Sequence, residues 1–349
     1  MPTASVVGCG AGGGASLSAL HASDRFDLKA ACDLKPDVCE KLRGMYPGIQ
    51  TFTSHRQMFD ECPTDVVCVS TYATSHLPIT LDALALPLKG ILVEKPLGDT
   101  WAVGKKVLES VQSKGIPMAV PHGLLALDHS LQIIDLVRRG AIGDLQLVNV
   151  ECAKWDIINA GIHWFNFFVH LTGFEAIESV LCQCDTSTRT YRDGMQVETI
   201  AATSVQTVSG IRMLLTTGDD VKSLDEASIV WHIYGSRGTI KFWAFSPAYE
   251  IFSADHPTGK RVDIQKGTPA GHQRHLENMA DQIEAGSHDY SIAESSLMAL
   301  EICDAAYVSN RNRCQVTLPL SGFSPPRLSD WDAGAAYSGA GGGRDGRKL

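Results

Sequence analysis

Six residues near the N-terminus, Gly8-Cys9-Gly10-Ala11-Gly12-Gly13, fit the pattern GxGxxG. They follow an apolar strand-like run and open a stretch with helical character. At such a junction glycines let the backbone approach a pyrophosphate, and the helix N-terminus presents N–H donors to it. Asp33 closes the next strand-like run, 20 residues after Gly13. A carboxylate there can accept from both ribose hydroxyls of an adenosine and would repel a 2′-phosphate. The adjoining Leu34 offers no Arg-type clamp, so NAD is expected as cofactor, with NADP disfavoured. Two more strand ends should lie along the same edge: Ser70-Thr71, followed by a helix start near Thr74–His76, and Glu94-Lys95-Pro96. An X–Pro bond is one that can be cis, and a cis bond would fix the direction of Lys95.

The elements that would position these residues are legible in the first 122 residues. Apolar runs at Ala4–Gly8, Leu28–Asp33, Val66–Ser70, Ile91–Glu94 and Met118–Pro121 alternate with longer stretches of helical spacing, such as Leu77, Leu81, Leu84 and Val103, Val107, Val111. Strands apolar throughout and alternating with helices predict a doubly wound parallel sheet, ligand at its carboxyl edge. After His122 the pattern changes. A helix over Asp128–Arg139 ends at Gly140. Strand-like segments then dominate, at Leu145–Glu151, Val197–Val208, Gly210–Thr217, Ser228–Tyr234 and Thr239–Phe245. Helices are expected around Gly161–Leu171, Arg274–Ala285 and Ile292–Val308, and a last strand at Gln315–Leu318. This reads as an α+β domain with an open, mostly antiparallel sheet. The division is therefore 1–122 for the nucleotide domain, 123–320 for a substrate-binding and oligomerisation domain, and 321–349 for a Gly/Ser-rich flexible tail, which Trp331 could anchor.

Composition sets the class. The 349 residues are 44% hydrophobic and 20% charged, with a formal charge of −9. That balance argues for a globular core and against a phosphate-neutralising nucleic-acid surface. No apolar run approaches a membrane span, and the N-terminus does not read as a signal peptide. The ten cysteines form no CxxC; Cys32, Cys68 and Cys303 sit in apolar runs as small buried hydrophobes would, which points to the cytoplasm. Cys182 and Cys184 lack a zinc-spaced partner, so no metal is expected.

The glycine turn, Asp33 and Glu94-Lys95-Pro96 together resemble the Gfo/Idh/MocA family of sugar and inositol dehydrogenases. Arg139-Gly140-Ala141-Ile142-Gly143 and Gly161-Ile162-His163 agree, over residues 3 to about 320. The resemblance implies hydride transfer between a hydroxyl carbon of a sugar, cyclitol or derivative and the nicotinamide, with Lys95 and His163 assisting proton transfer. It also implies cofactor contacts from Gly8, Gly10, Ala11, Gly12, Gly13, Asp33, Leu34, Ser70, Thr71, His76, Glu94, Lys95 and His122. Substrate contacts are expected from Lys95, His122, Lys154, Trp155, Asn159, His163, His272 and Arg274. His170, seven residues after His163, reads as structural. A homodimer or homotetramer through the second-domain sheet should follow. The sequence departs from the family where Asn159 and Asn166 stand in place of the usual carboxylates of D-x-G-x-H-x-x-D, with Asp156 or Glu151 as substitute charges. Leu125 stands where an Arg is frequent. Two alternatives stay open: a redox-neutral enzyme using tightly bound NAD transiently, and a non-catalytic NAD-binding regulator.

Overall fold

The computed structural model describes residues 1–188, 190–222, 228–265, 267 and 269–321. The chain divides into two compact units, Met1–Ala126 with Thr268–Leu297, and Leu127–Gly267 with the chain from Met298 on. The linear division at residue 122 thus differs at the return segment, which groups with the first unit. Most of the tail expected to be flexible, including Trp331, lies outside the described residues.

The first unit is built on six parallel strands: β1 (Thr3–Val7), β2 (Asp27–Cys32), β3 (Gln50–Phe52), β4 (Val66–Val69), β5 (Gly90–Val93) and β6 (Met118–Ala119). Their order is β3-β2-β1-β4-β5-β6, which reverses between β1 and β4. A crevice at the carboxyl ends there is where open α/β sheets bind ligands. β4 and β5 are buried along their whole length, as strands covered on both faces must be. β3 went unread in the sequence because three residues at a sheet edge carry too little apolar pattern. Around the sheet run α1 (Ala11–Ala22), α2 (Pro36–Met45), α3 (His55–Glu61), α4 (His76–Ala83) and α5 (Trp101–Lys114). Pro36 begins α2, and Ser54 and Thr100 cap α3 and α5 through their side chains.

The second unit opens with α6 (Asp128–Arg138) and β7 (Leu145–Ala153), then a single π turn (Ile157–Gly161) that runs into α7 (Ile162–Leu171). There follow β8 (Ile177–Cys184), β9 (Thr190–Arg192), β10 (Met195–Val197), β11 (Ile200–Thr207), β12 (Arg212–Gly218), β13 (Ile229–Gly235), β14 (Gly238–Trp243), β15 (Ala248–Ser253) and β16 (His256–Asp263). The segment read as one strand over Val197–Val208 is two, broken at Glu198-Thr199, where both side chains are buried. α8 (Gly271–Ala285) belongs to the first unit. α9 (Ser291–Asn312) then leads to β17 (Val316–Thr317) in the second. Among the described residues the large sheet runs β16-β15-β14-β13-β7-β12-β11-β8-β17, antiparallel except between β7 and β12.

The second unit's core is aromatic. Trp164 and Phe167 of α7 meet Trp231 and Phe242 of the sheet, with ring centroids 5.1–6.0 Å apart. α7 is buried at eight of ten positions, leaving His163 and His170 half-buried on one stripe. α8 sends Leu276, Met279 and Ala280 into the core cluster that holds Leu17, Leu20, Val66 and Leu92. Its apolar stripe was visible in the sequence; which sheet it covers was not.

Candidate active site

The turn from β1 into α1 can be built only of glycine at two positions. Gly8 has φ +84°, and a Cβ on it would lie 2.7 Å from the Ser70 carbonyl oxygen. A Cβ on Gly13 would lie 1.8 Å from the Gly8 carbonyl oxygen, so any side chain there displaces backbone. Gly10, by contrast, faces open space, and no side chain caps the N-terminus of α1. Unpaired N–H groups beside open space fit a pyrophosphate. Asp33 is positioned by the backbone it serves: Cys9 N–H donates to its Oδ2 at 2.9 Å and Lys35 N–H to its Oδ1 at 3.0 Å. Leu34 is exposed, as is Ala11. Ser70 is buried beside Ser16, and the Thr71 carbonyl accepts from His76 Nε2 at 2.9 Å. Ser75 does not cap α4; its hydroxyl donates to Thr71 Oγ1 and the Tyr72 carbonyl instead.

At the end of β5, Glu94 is buried and the Lys95–Pro96 peptide is cis. Lys95 N–H donates to Glu94 Oε2 at 3.2 Å, and His272 Nε2 donates to Oε1 at 2.6 Å. Burial pushes the Glu94 carboxyl up, but the His272 bond and the charges of His272, Lys95 and His76 outweigh it and hold the group below its usual range. Burial also pushes His76 down, and His275 down to about 4. His275 Nε2 donates to the His122 carbonyl, and His122 Nε2 lies 2.8 Å from Ser296 Oγ. His122, expected to face the nicotinamide, is 1% exposed and engaged with α9. Arg274 donates from Nε to the Pro269 carbonyl. The first unit thus gathers the glycine turn, Asp33, Ser70, Thr71, His76, Glu94, Lys95, His122 and His272.

The second unit holds His163, and the residues that fix its helix were mostly missed. Asp156, fully buried, caps the π turn: its Oδ1 accepts from Asn159 N–H at 2.7 Å and Asn159 Nδ2 at 3.0 Å. Asn159, expected to touch substrate, therefore turns into the protein, because Asp156 needs its donor. Asp156 Oδ2 accepts from Arg192 Nη1 at 3.0 Å, and Arg192 Nη2 reaches Asp219 at 2.7 Å. Glu198 accepts from Ile157 N–H at 2.7 Å and from Tyr307 Oη at 2.8 Å. Burial and the neighbouring Asp156 push Glu198 up. Of the two substitute charges considered, Asp156 serves this turn, while Glu151 alternates with buried Val150 and Cys152 on β7. Asn166 is fully buried. Lys154 is exposed with φ +72°, its N–H bound to the Gly218 carbonyl, and the half-buried Trp155 lies under the Arg192 guanidinium at 6.0 Å. His170 packs edge-on against Phe174, a structural contact. Arg192-Asp193-Gly194 reads as a turn signal, but nothing in linear order says that its Arg meets Asp156.

A doubly wound sheet with a glycine turn, an acidic residue closing β2 and a Glu-Lys-Pro strand end defines a dinucleotide-binding oxidoreductase. Residues 3–122 match the family described as "Oxidoreductase family, NAD-binding Rossmann fold", and residues 157–318 match its "C-terminal alpha/beta domain". The chain belongs to the Gfo/Idh/MocA family and is an NAD-binding oxidoreductase. No curated protein matches it. Among solved structures it is similar to an Agrobacterium radiobacter oxidoreductase in complex with NAD+, L-tartaric acid and magnesium, at 16% identity and TM-score 0.76, covering 90% of this chain and 98% of that one. It is similar to the WlbA dehydrogenase of Chromobacterium violaceum in complex with NADH and UDP-GlcNAcA, at 19% identity and TM-score 0.75, over 91% and 96%. The aldose-aldose oxidoreductase of Caulobacter crescentus complexed with glycerol shares 18% identity and TM-score 0.75, over 90% and 99%. These likenesses establish the fold. No helix among the described residues is long and apolar enough to cross a membrane.

Proposed function

We propose that the chain is an NAD-dependent dehydrogenase or reductase acting on a CH–OH group of a sugar, cyclitol or sugar derivative. The observation that carries this reading is His163, half-buried at the start of a mostly buried helix whose entry is clamped by Asp156, Arg192 and Glu198. A partly exposed histidine on a rigidly held helix suits a general base for an alcohol proton. In the oxidising direction, the substrate O–H proton passes to the His163 imidazole while the C–H bond breaks and a carbonyl forms. Hydride acceptance at C4 is the chemistry a bound nicotinamide would supply. Lys95 supplies a fixed cation for the charge developing on the hydroxyl oxygen. In reduction the same groups run in reverse, His163 returning the proton.

Asp156 is the buried anion that the family pattern otherwise places on the helix itself, so Asn159 acts by anchoring the turn. Lys154 and Trp155, exposed and half-buried beside that turn, are the proposed contacts for a polar, ring-shaped substrate. One similar structure holds NADH and UDP-GlcNAcA and another is an aldose-aldose oxidoreductase, which supports the substrate class. We further propose that two copies associate through the outer sheet face, where Leu181, Leu214, Tyr234 and Phe252 are exposed. Light scattering after size exclusion tests this, and a monomer at micromolar concentration would exclude it. The catalytic reading is tested by NADH absorbance with NAD or NADP across sugars, cyclitols and sugar acids. Turnover with one class supports it. Its absence from all of them, with NADH still bound, would redirect attention to a redox-neutral reaction.

A further inference from the structure

The Glu94 carboxylate lies against the glycine turn itself. A Cβ on Gly12 would lie 2.7 Å from Glu94 Oε1 and 2.9 Å from its carboxyl carbon, so the bare Cα of Gly12 is what admits the group. Gly12 is the second residue of α1, whose N-terminus must face the cofactor's phosphates. A buried anion beside two phosphate charges is costly, because the water that would screen them is excluded. The same carboxylate makes its shortest contact with His272, 2.6 Å away on α8, a residue far along the chain but in the same compact unit.

We propose that His272 is a positioning residue for cofactor binding: its imidazolium neutralises Glu94, so that the dinucleotide's phosphates can occupy the glycine turn above it. This rests on the dinucleotide lying over that turn, and it goes beyond hydride transfer because it concerns affinity alone. Lys95 donates its backbone N–H to the other carboxylate oxygen and adds its charge to that of His272. His76, on α4, is committed through Nε2 to the Thr71 carbonyl, and His275 is committed to the His122 carbonyl. A glutamine at position 272 would keep a hydrogen-bond donor and lose the charge. A lysine would keep the charge.

The test is NADH and ADP-ribose affinity of the full chain, followed by fluorescence and calorimetry, for His272→Gln, His272→Lys, Glu94→Gln and the double variant Glu94→Gln/His272→Gln. His272→Gln should weaken both ligands about tenfold, and His272→Lys should stay within about threefold of wild type, as a charge coupling of ordinary size predicts. In the Glu94→Gln background, adding His272→Gln should cost less than about twofold. Equal losses in both backgrounds would mean that His272 merely packs, and would overturn the proposal. So would wild-type affinity in His272→Gln. Because the readout is binding, coupling seen in a protein that turns over no sugar would leave this inference standing while the catalytic reading fell.

Discussion

Replacing Arg192 by Met should destabilise the second unit far more than breaking a surface pair of the same length. Arg192 is 3% exposed, Asp156 0% and Asp219 5%, with contacts of 3.0 and 2.7 Å. Arg139, just past α6, and Asp135 within it are 2.8 Å apart, but 77% and 49% exposed. Water and salt screen the surface pair, so Arg139→Met should cost at most about 0.5 kcal/mol. Arg192→Met leaves two carboxylates buried without their cation, for which about 3–5 kcal/mol is the usual loss. At roughly 2–4 °C per kcal/mol for a unit of this size, the midpoint should fall by about 6–20 °C. Intrinsic fluorescence follows the event, because Trp155, Trp164, Trp231 and Trp243 lie in this unit. Asp156→Asn/Arg192→Met should recover part of the loss, since an amide keeps the acceptor for Asn159 and removes one stranded charge. A midpoint drop in Arg192→Met no larger than in Arg139→Met would refute the view that burial makes this clamp.

Two further outcomes follow from the first unit. Gly13→Ala should lower the melting temperature and weaken NADH at least about tenfold, because its Cβ would sit 1.8 Å from the Gly8 carbonyl oxygen; Gly14→Ala, with open space around it, should melt at or above wild type. Normal NADH affinity in Gly13→Ala would show that the turn can shift. His275, whose folded value drops from 6.5 to about 4, is neutral in the fold while the unfolded chain takes up its proton, so stability should be lost as pH falls from about 6.5 toward 4. That loss amounts to about 3 kcal/mol, and His275→Asn should flatten it in urea midpoints taken at pH 7.5 and 4.5. An unchanged slope would assign the acid sensitivity to other groups.

The nucleotide half was legible because its signals are local. Gly8 to Gly13, Asp33 and Lys95 each end a strand whose apolar run can be read directly, and the sheet order brings those ends together. The buried clamp was not legible. Arg192 and Glu198 lie far in sequence from Asp219, and Asp219 from Tyr307, and only the crossing of β9, β10, β12 and α9 near the π turn unites them with Asp156. The same holds for His272, whose partner Glu94 is 178 residues away. The amides at 159 and 166 advertise a missing charge, and Asp156 is bonded to Asn159 itself. β15 does not alternate cleanly, since Ala248 and Tyr249 are both buried, and β16 is polar and largely exposed, so neither gives a strand period in the sequence.

Lys95 and His163 are proposed to assist proton transfer during hydride exchange with NAD. The most direct measurement is the single-turnover rate of NADH formation with the substrate found in the panel, for wild type, Lys95→Ala and His163→Ala, at matched NADH affinity. With NAD saturating, each variant should lose on the order of a hundredfold or more in rate, as loss of a positioned acid–base group does. A His163→Ala enzyme that turns over at the wild-type rate, with its cofactor bound, would contradict that role.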